Sequence, residues 1–177
     1  MTAGIYTDMG LLTSDPVIST DVSDLFNALT GYSRKEEYAK LLVAPAGMRT
    51  AMLARIQREI ERHASEGGGN IVFKMNSLVD KACIKALYEA SIAGVKVDLQ
   101  VRGICCLRPG VQGLSENIRV TSIVDRFHEH ARVIHFHHGG DDRVFVSSAD
   151  WMPRNLDRRV ELWVPGEEVA LRRRLIK

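Results

Sequence analysis

Residues 38–101 carry a strand–helix–strand–helix–strand pattern that few folds accommodate. Tyr38-Ala39-Lys40-Leu41-Leu42-Val43 is a short apolar run stopped at Pro45, as a buried strand would be. Met48 to His63 then sets Met52, Leu53, Ile56 and Ile60 on one stripe, opposite Arg55, Arg58, Glu59 and Arg62. That is the period of an amphipathic helix. Asn70–Met75 reads as the next strand. Asp80 to about Ala93 reads as a second helix, with Ile84, Leu87 and Tyr88 on one face and Gly94 as C-cap. Val95–Val101 alternates as a third strand. Parallel neighbours need a crossover of a dozen or more residues, usually a helix. The succession therefore predicts an α/β fold, a mixed and mostly parallel sheet flanked by helices.

The flanks are less regular. Residues 1–20 mix turn formers with short apolar pieces, and Pro16 is expected to break any helix there. Asp21 reads as the N-cap of a short helix from Val22 to about Thr30, ended by Gly31. After Gly103 a loop, Cys105–Asn117, precedes strands expected at 118–124, 130–137 and 143–147. Gly139-Gly140-Asp141-Asp142 is expected to be a hairpin turn between the last two. A further strand fits Val160–Val164, and a helix begins at Glu167. It stops in pattern at Lys177, so the chain is expected to continue beyond it.

Composition narrows the classes. A chain of 177 residues fits one domain with a self-sufficient core. Cys83, Cys105 and Cys106 make an odd count with two adjacent, which suits neither a disulfide framework nor CxxC spacing. They read as reduced, buried thiols. There is no signal-peptide pattern and no apolar run of membrane length, so a soluble protein is expected. The net charge of +2 gives no case for a nucleic-acid partner, and none is predicted. Arginine is nevertheless concentrated, with 12 of the 17 from Arg102 onward. Its planar fork suits phosphate or carboxylate.

Gly67-Gly68-Gly69 tempts a phosphate-loop reading, but these glycines leave a helix and enter a strand, the reverse of what such a loop needs. Five of six histidines fall within Phe127–His138. On one continuous strand His128, His130 and Arg132 share a face, and His135 and His137 point the other way. An arginine among them disfavours a metal, and no metal ligand is assigned. His130 and Arg132 instead set an imidazole beside a guanidinium, a proton carrier beside a phosphate holder. The pair resembles the HxK of phospholipase-D-like enzymes. Those hydrolases carry an acidic residue where this chain has His137, which argues against a plain phosphodiesterase.

Longer stretches resemble one family, the polyphosphate kinases with a phospholipase-D-like core. They are Ile5-Tyr6-Thr7-Asp8, Asp21-Val22-Ser23-Asp24-Leu25-Phe26, Lys74-Met75-Asn76-Ser77-Leu78-Val79-Asp80 and Val101-Arg102-Gly103-Ile104-Cys105-Cys106-Leu107-Arg108-Pro109-Gly110. Glu129-His130-Ala131-Arg132, Ser148-Ala149-Asp150-Trp151-Met152 and Arg154-Asn155-Leu156 complete the set. The resemblance covers essentially the whole chain and lies at the family's C-terminal region. It implies a phospholipase-D-like half-fold, with residues 1–37 a lead-in from the end of the preceding catalytic domain and 38–177 the C-terminal domain. The implied activity is reversible transfer of the ATP terminal phosphate to polyphosphate through a phosphohistidine. That histidine and the ligands of Mg2+ are implied to lie on the preceding domain.

Here the resemblance implies Tyr6, Arg102 and His130 as ATP and phosphate contacts, with Asp8 in the same pocket. His130 is implied to be the second, non-phosphorylated catalytic histidine. Lys74 and Asn76 sit at a strand end within reach of phosphate. Trp151 and Met152 are read as core, and Asp150, Arg154 and Asn155 as shaping the loop behind His130. Implied partners are ATP or ADP, polyphosphate and the remainder of the kinase chain, with a homo-oligomer left open. The implied location is cytoplasmic, peripheral membrane association also being open. Two other classes of reading, and a histidine-rich metal site besides, stand beside this one. One is a homodimeric phospholipase-D-like phosphodiesterase that pairs two copies of His130. The other is a nucleotide- or polyphosphate-binding module without chemistry.

Overall fold

A computed structural model describes residues 6–34 and 37–176; Ile5 and Lys177 lie outside the described residues. In chain order the elements are β1 (Tyr6–Thr7), α1 (Pro16–Leu29), β2 (Leu42–Ala44), α2 (Met48–Glu66), β3 (Asn70–Met75), α3 (Lys81–Ile92) and β4 (Lys96–Val101). There follow β5 (Ile118–Thr121), β6 (His128–Glu129), β7 (Arg132–Phe136), β8 (Arg143–Ser147), α4 (Pro153–Asp157), β9 (Glu161–Pro165) and α5 (Val169–Ile176). Seven strands form one sheet in the order β2-β9-β8-β7-β3-β4-β5, and β1 pairs with β6 apart from it.

The sheet is mixed and helix-flanked, as expected, but its balance is not mostly parallel. Only β3–β4 and β4–β5 are parallel. The pairs β2–β9, β9–β8, β8–β7 and β7–β3 are antiparallel. The reason is order of filling. The unit β3–α3–β4 is the adjacent parallel crossover that the pattern predicts. The crossover β2–α2–β3 instead leaves a gap of three places, which β7, β8 and β9 fill. A tight connection at 137–142 joins β7 to β8, and a tight connection permits only antiparallel neighbours. It is a 3-10 turn at His138–Gly140, not the expected turn at 139–142.

Alternation along the strands separates two cores. Ile71, Phe73 and Met75 of β3 and Val97, Leu99 and Val101 of β4 face Met52 and Ile56 of α2 and Leu87 of α3. Trp163 of β9 joins this core, while its neighbours Leu162 and Val164 meet Ile18 and Leu25 of α1 on the other face. The triple glycine behaves as a turn. Gly67 caps α2 at φ 73°, and a Cβ on Gly69 would lie 2.7 Å from that of His63.

Helix α1 begins earlier than expected. Asp15 is its N-cap, accepting from the Ile18 amide at 2.9 Å, and Pro16 occupies the first turn. Proline is at home there because its missing N–H would have no partner in the helix anyway. Asp21, read as a cap, is instead buried inside the helix at 1% exposure. Its carboxylate accepts from the amides of Ala39, Lys40 and Leu41 at 2.9, 2.7 and 3.0 Å. Those amides therefore do not join the sheet, and β2 starts only at Leu42.

Replacing Asp21 by Ala leaves three backbone donors without an acceptor. We expect a loss of about 2–3 kcal/mol of unfolding free energy in urea, with Asp21→Asn intermediate because its amide oxygen still accepts. A loss below about 0.5 kcal/mol would contradict this role for the carboxylate.

Candidate functional site

The carboxyl ends of β3, β4 and β8 and the amino ends of β7 and β9 meet at one edge of the sheet. Beyond β3, residues 76–80 run between two other segments. The Gly103 amide donates to the Asn76 carbonyl at 2.8 Å, and the Trp151 amide donates to the Ser77 carbonyl at 3.0 Å. The approach at Gly103 is close, since a Cβ there would lie 3.0 Å from the Asn76 oxygen. Trp151 is fully buried beneath, as expected; Met152 is half-buried.

Asp150 ties this edge together. Its Oδ1 accepts from the amides of Asn76 (2.8 Å) and Ser77 (3.3 Å), and its two oxygens take the Arg132 guanidinium at 3.2 and 3.1 Å. Both side chains are about nine-tenths buried. This corrects the reading of Arg132 as a phosphate holder. With its fork on Asp150 and Nη1 on the His130 carbonyl at 2.9 Å, it is a strut. Asp150 does shape the loop behind His130.

His130 lies where the expected strand 130–137 breaks. Instead of continuing into β7, residues 128–129 pair parallel with Tyr6–Thr7, and the His130 amide donates to the Thr7 carbonyl at 2.9 Å. That pairing carries Asp8 to the imidazole, with Oδ2 2.7 Å from Nδ1. An ionised carboxylate only accepts, so Nδ1 holds the proton and Nε2 keeps its lone pair in the neutral ring. The hydrogen bond from His130 holds the Asp8 carboxyl below its usual range, against the opposing effect of its partial burial. The Tyr6 ring meets His128 and His130 edge-on, each at 5.1 Å between centroids.

Tyr6, Asp8, Arg102 and His130 line one cavity of about 670 Å³. Arg102 is half-buried and aimed by a bond from Nε to Asn76 Oδ1 at 2.9 Å. Arg154 and Arg159 line the same cavity. Arg154 reads in the sequence as a loop-shaping residue, and Arg159 carries no local signal at all. Only the packing of α4 on β2 and the pairing of β9 with β8 bring them in. Among the described residues no ion pair involves Arg102, Arg154 or Arg159. The carboxylates nearby are committed: Asp8 to His130, Asp150 to Arg132, Glu161 to Ser148 and Asn155. The lining carries four guanidiniums against three carboxylates, and a cavity with that excess of positive charge attracts anions.

Lys74 points elsewhere and pairs with Glu129, outside this cavity. Cys105 is half-buried, but Cys106 is exposed, contrary to the expectation for both thiols. The histidines divide between places: His128 and His130 stand at Tyr6, His135 and His137 at Asp142. Among the described residues no three His, Cys, Asp or Glu side chains are disposed to hold a metal ion. The carboxylates lining the cavity, Asp8, Asp150 and Glu161, do not gather into a magnesium site among the described residues. No described helix is long and apolar enough to cross a membrane.

Residues 41–177 match the family Polyphosphate kinase C-terminal domain 2, and residues 1–35 match Polyphosphate kinase C-terminal domain 1. This chain belongs to the polyphosphate kinase family. The polyphosphate kinase of Synechocystis sp. is 56% identical over 98% of the chain, and that of Prosthecochloris aestuarii 60% over 93%. The chain spans 24% and 23% of those proteins, about a quarter of the curated relatives it matches. The crystal structure of polyphosphate kinase from Porphyromonas gingivalis superposes at a TM-score of 0.90 with 47% identity, over 93% of this chain and 25% of that one. Nuc from Salmonella typhimurium, a phospholipase D family member, superposes at 0.52 with 16% identity, over 77% of this chain and 88% of that one. The fold is phospholipase-D-like.

The Asp8 contact makes a spectroscopic prediction. Neutral His130 is expected as the Nδ1–H tautomer in long-range ¹⁵N–¹H spectra, reverting towards Nε2–H in Asp8→Ala. Because the folded Asp8 carboxyl is depressed, the contact persists above its ordinary value of 3.8 and is lost only as pH falls below that. A pure Nε2–H spectrum in the unsubstituted chain would contradict the assignment.

Proposed function

We propose that this chain forms one wall of the phosphoryl-transfer site of a polyphosphate kinase that moves the ATP terminal phosphate reversibly onto polyphosphate. The observation that carries the reading is the convergence of three arginines, without carboxylate partners among the described residues, on an imidazole oriented by Asp8. Arg102, at the carboxyl end of β4, stands where open α/β sheets bind ligands. It would neutralise the phosphoryl group in transit, which needs positioning and charge stabilisation more than covalent help. Arg154 and Arg159 would hold neighbouring phosphates.

His130 would supply a proton or hydrogen bond to the oxygen of the leaving or attacking phosphate, a role worth about 10²–10⁴ in rate. Tyr6 would position the nucleotide, and Asp8 would orient His130. Residues 1–37 are read as the end of the preceding domain and 38–177 as the C-terminal domain, a division supported by the two family matches. The phosphorylated histidine and the magnesium ligands are assigned to the remainder of the kinase.

Such sites are built from two halves, each with one histidine. The isolated chain is therefore expected to bind but not to turn over: no polyphosphate forms from ATP, as read by ³¹P NMR. Calorimetric titration with ATP and with polyphosphate should show binding that survives added salt and weakens about tenfold or more in Arg102→Ala and His130→Ala. Measurable turnover by the chain would overturn the half-site reading. Binding unaffected by both substitutions would overturn the assignment of the cavity.

A further inference from the structure

We propose that a second cavity, at the opposite end of β8, is a separate binding site for a multivalent phosphate oxyanion. It measures about 450 Å³, within the range of small-molecule sites. Arg55 and Arg58 of α2, Arg143 at the start of β8, Arg172 of α5 and His138 line it. The transfer site lies at the Ser147 end of the same strand. None of its candidate contacts is shared.

The charges here do not balance. Arg55 is half-buried, its guanidinium 5.1 Å from the Phe145 ring centroid and its Nη1 donating to the Ala51 carbonyl at 3.2 Å. Arg58 stands one turn further along the same face. Among the described residues neither has an ion-pair partner. The carboxylates of the cavity are already engaged: Asp141 with Arg143 and Arg172, Asp142 with His135 and His137, Glu167 with Lys40.

Three further observations agree. Burial, then repulsion from Arg58 and Arg143, holds the Arg55 pKa below its ordinary value. Burial, then Arg62 and Arg143, does the same to His138. Arg172 Nε is buried with no hydrogen-bond acceptor among the described residues. Cations crowded in this way are relieved by an anion that accepts from several of them at once. A carboxylate offers two coplanar oxygens, enough for one guanidinium fork. A phosphate offers oxygens in tetrahedral directions, which suits donors arriving from α2, β8 and α5. That its occupant is polyphosphate or ATP rests on the function proposed above.

The test is ¹⁵N–¹H NMR of the chain titrated with tripolyphosphate and, separately, with ATP, at two salt concentrations. Variants are Arg55→Gln combined with Arg58→Gln, the exposed single change Arg58→Glu, and Arg102→Ala. Amides of 138–144 and of Gly166 should shift saturably, persist in Arg102→Ala, and need at least about tenfold more ligand in either α2 variant. Equal responses to both ligands identify phosphate itself as the determinant. A response to ATP alone makes nucleotide the source of the phosphate.

Shifts confined to the Arg102 end would overturn this inference and leave the proposed function standing. Saturation at 138–144 with silence around Arg102 would do the reverse. Silence at 138–144, or drift that never saturates and vanishes with salt, would overturn the second site and point to an acidic protein segment as the partner of Arg55 and Arg58.

Discussion

The ion pair between Asp150 and Arg132 is the contact on which the functional edge depends. Two charges, each about nine-tenths buried, hold together the start of β7, the turn after β3 and the segment leaving β8. Removing two ions from water is expensive, and the expense is tolerable only when every oxygen and N–H finds a partner. Here the backbone amides of Asn76 and Ser77 and the carbonyl of His130 complete the set. Such a contact gives position more than stability. It places His130 and, through Asn76, the guanidinium of Arg102.

Buried carboxylates serve the same purpose elsewhere in the chain. Asp21 collects the amides of 39–41, and Glu59 takes the amides of Asn70 and His138 at 3.0 and 2.9 Å. Each ends a stretch of irregular backbone where sheet pairing cannot reach it, so each substitutes for a missing strand neighbour. The consequence for charge is general. Several acidic side chains in this fold are tied to amides and paired cations, and among the described residues Arg55, Arg58, Arg102, Arg154 and Arg159 face the two cavities without ion-pair partners. A net charge of +2 conceals that separation completely.

The central α/β pattern was legible because it is local. Hydrophobic period alone marks α2, β3, α3 and β4, and their limits differ from the sequence reading by three residues or fewer. What misled was composition taken without context. Pro16 looks like a breaker and is a first-turn residue; Asp21 looks like a cap and is a buried acceptor. Both depend on where a helix begins, and that is decided by Asp15 and by packing of Ile18 and Leu25 on the sheet. The break at His130 was invisible because its cause, pairing of 128–129 with Tyr6–Thr7, joins residues more than 120 apart.

Tyr6, Asp8, Arg102 and His130 could be named from motif resemblance, since side-chain chemistry and short spacings are written in the chain. Arg154, Arg159 and the commitment of Arg132 to Asp150 could not. Sequence by itself determined the central elements α2, β3, α3 and β4 and which residue types are present to meet phosphate. Only the tertiary structure decided that three late strands insert antiparallel into a parallel crossover, and so which arginines are neutralised and which stay free. The physical reason is that periodicity is a property of neighbours along the chain, whereas ion pairing depends on distances that long-range strand pairing alone sets.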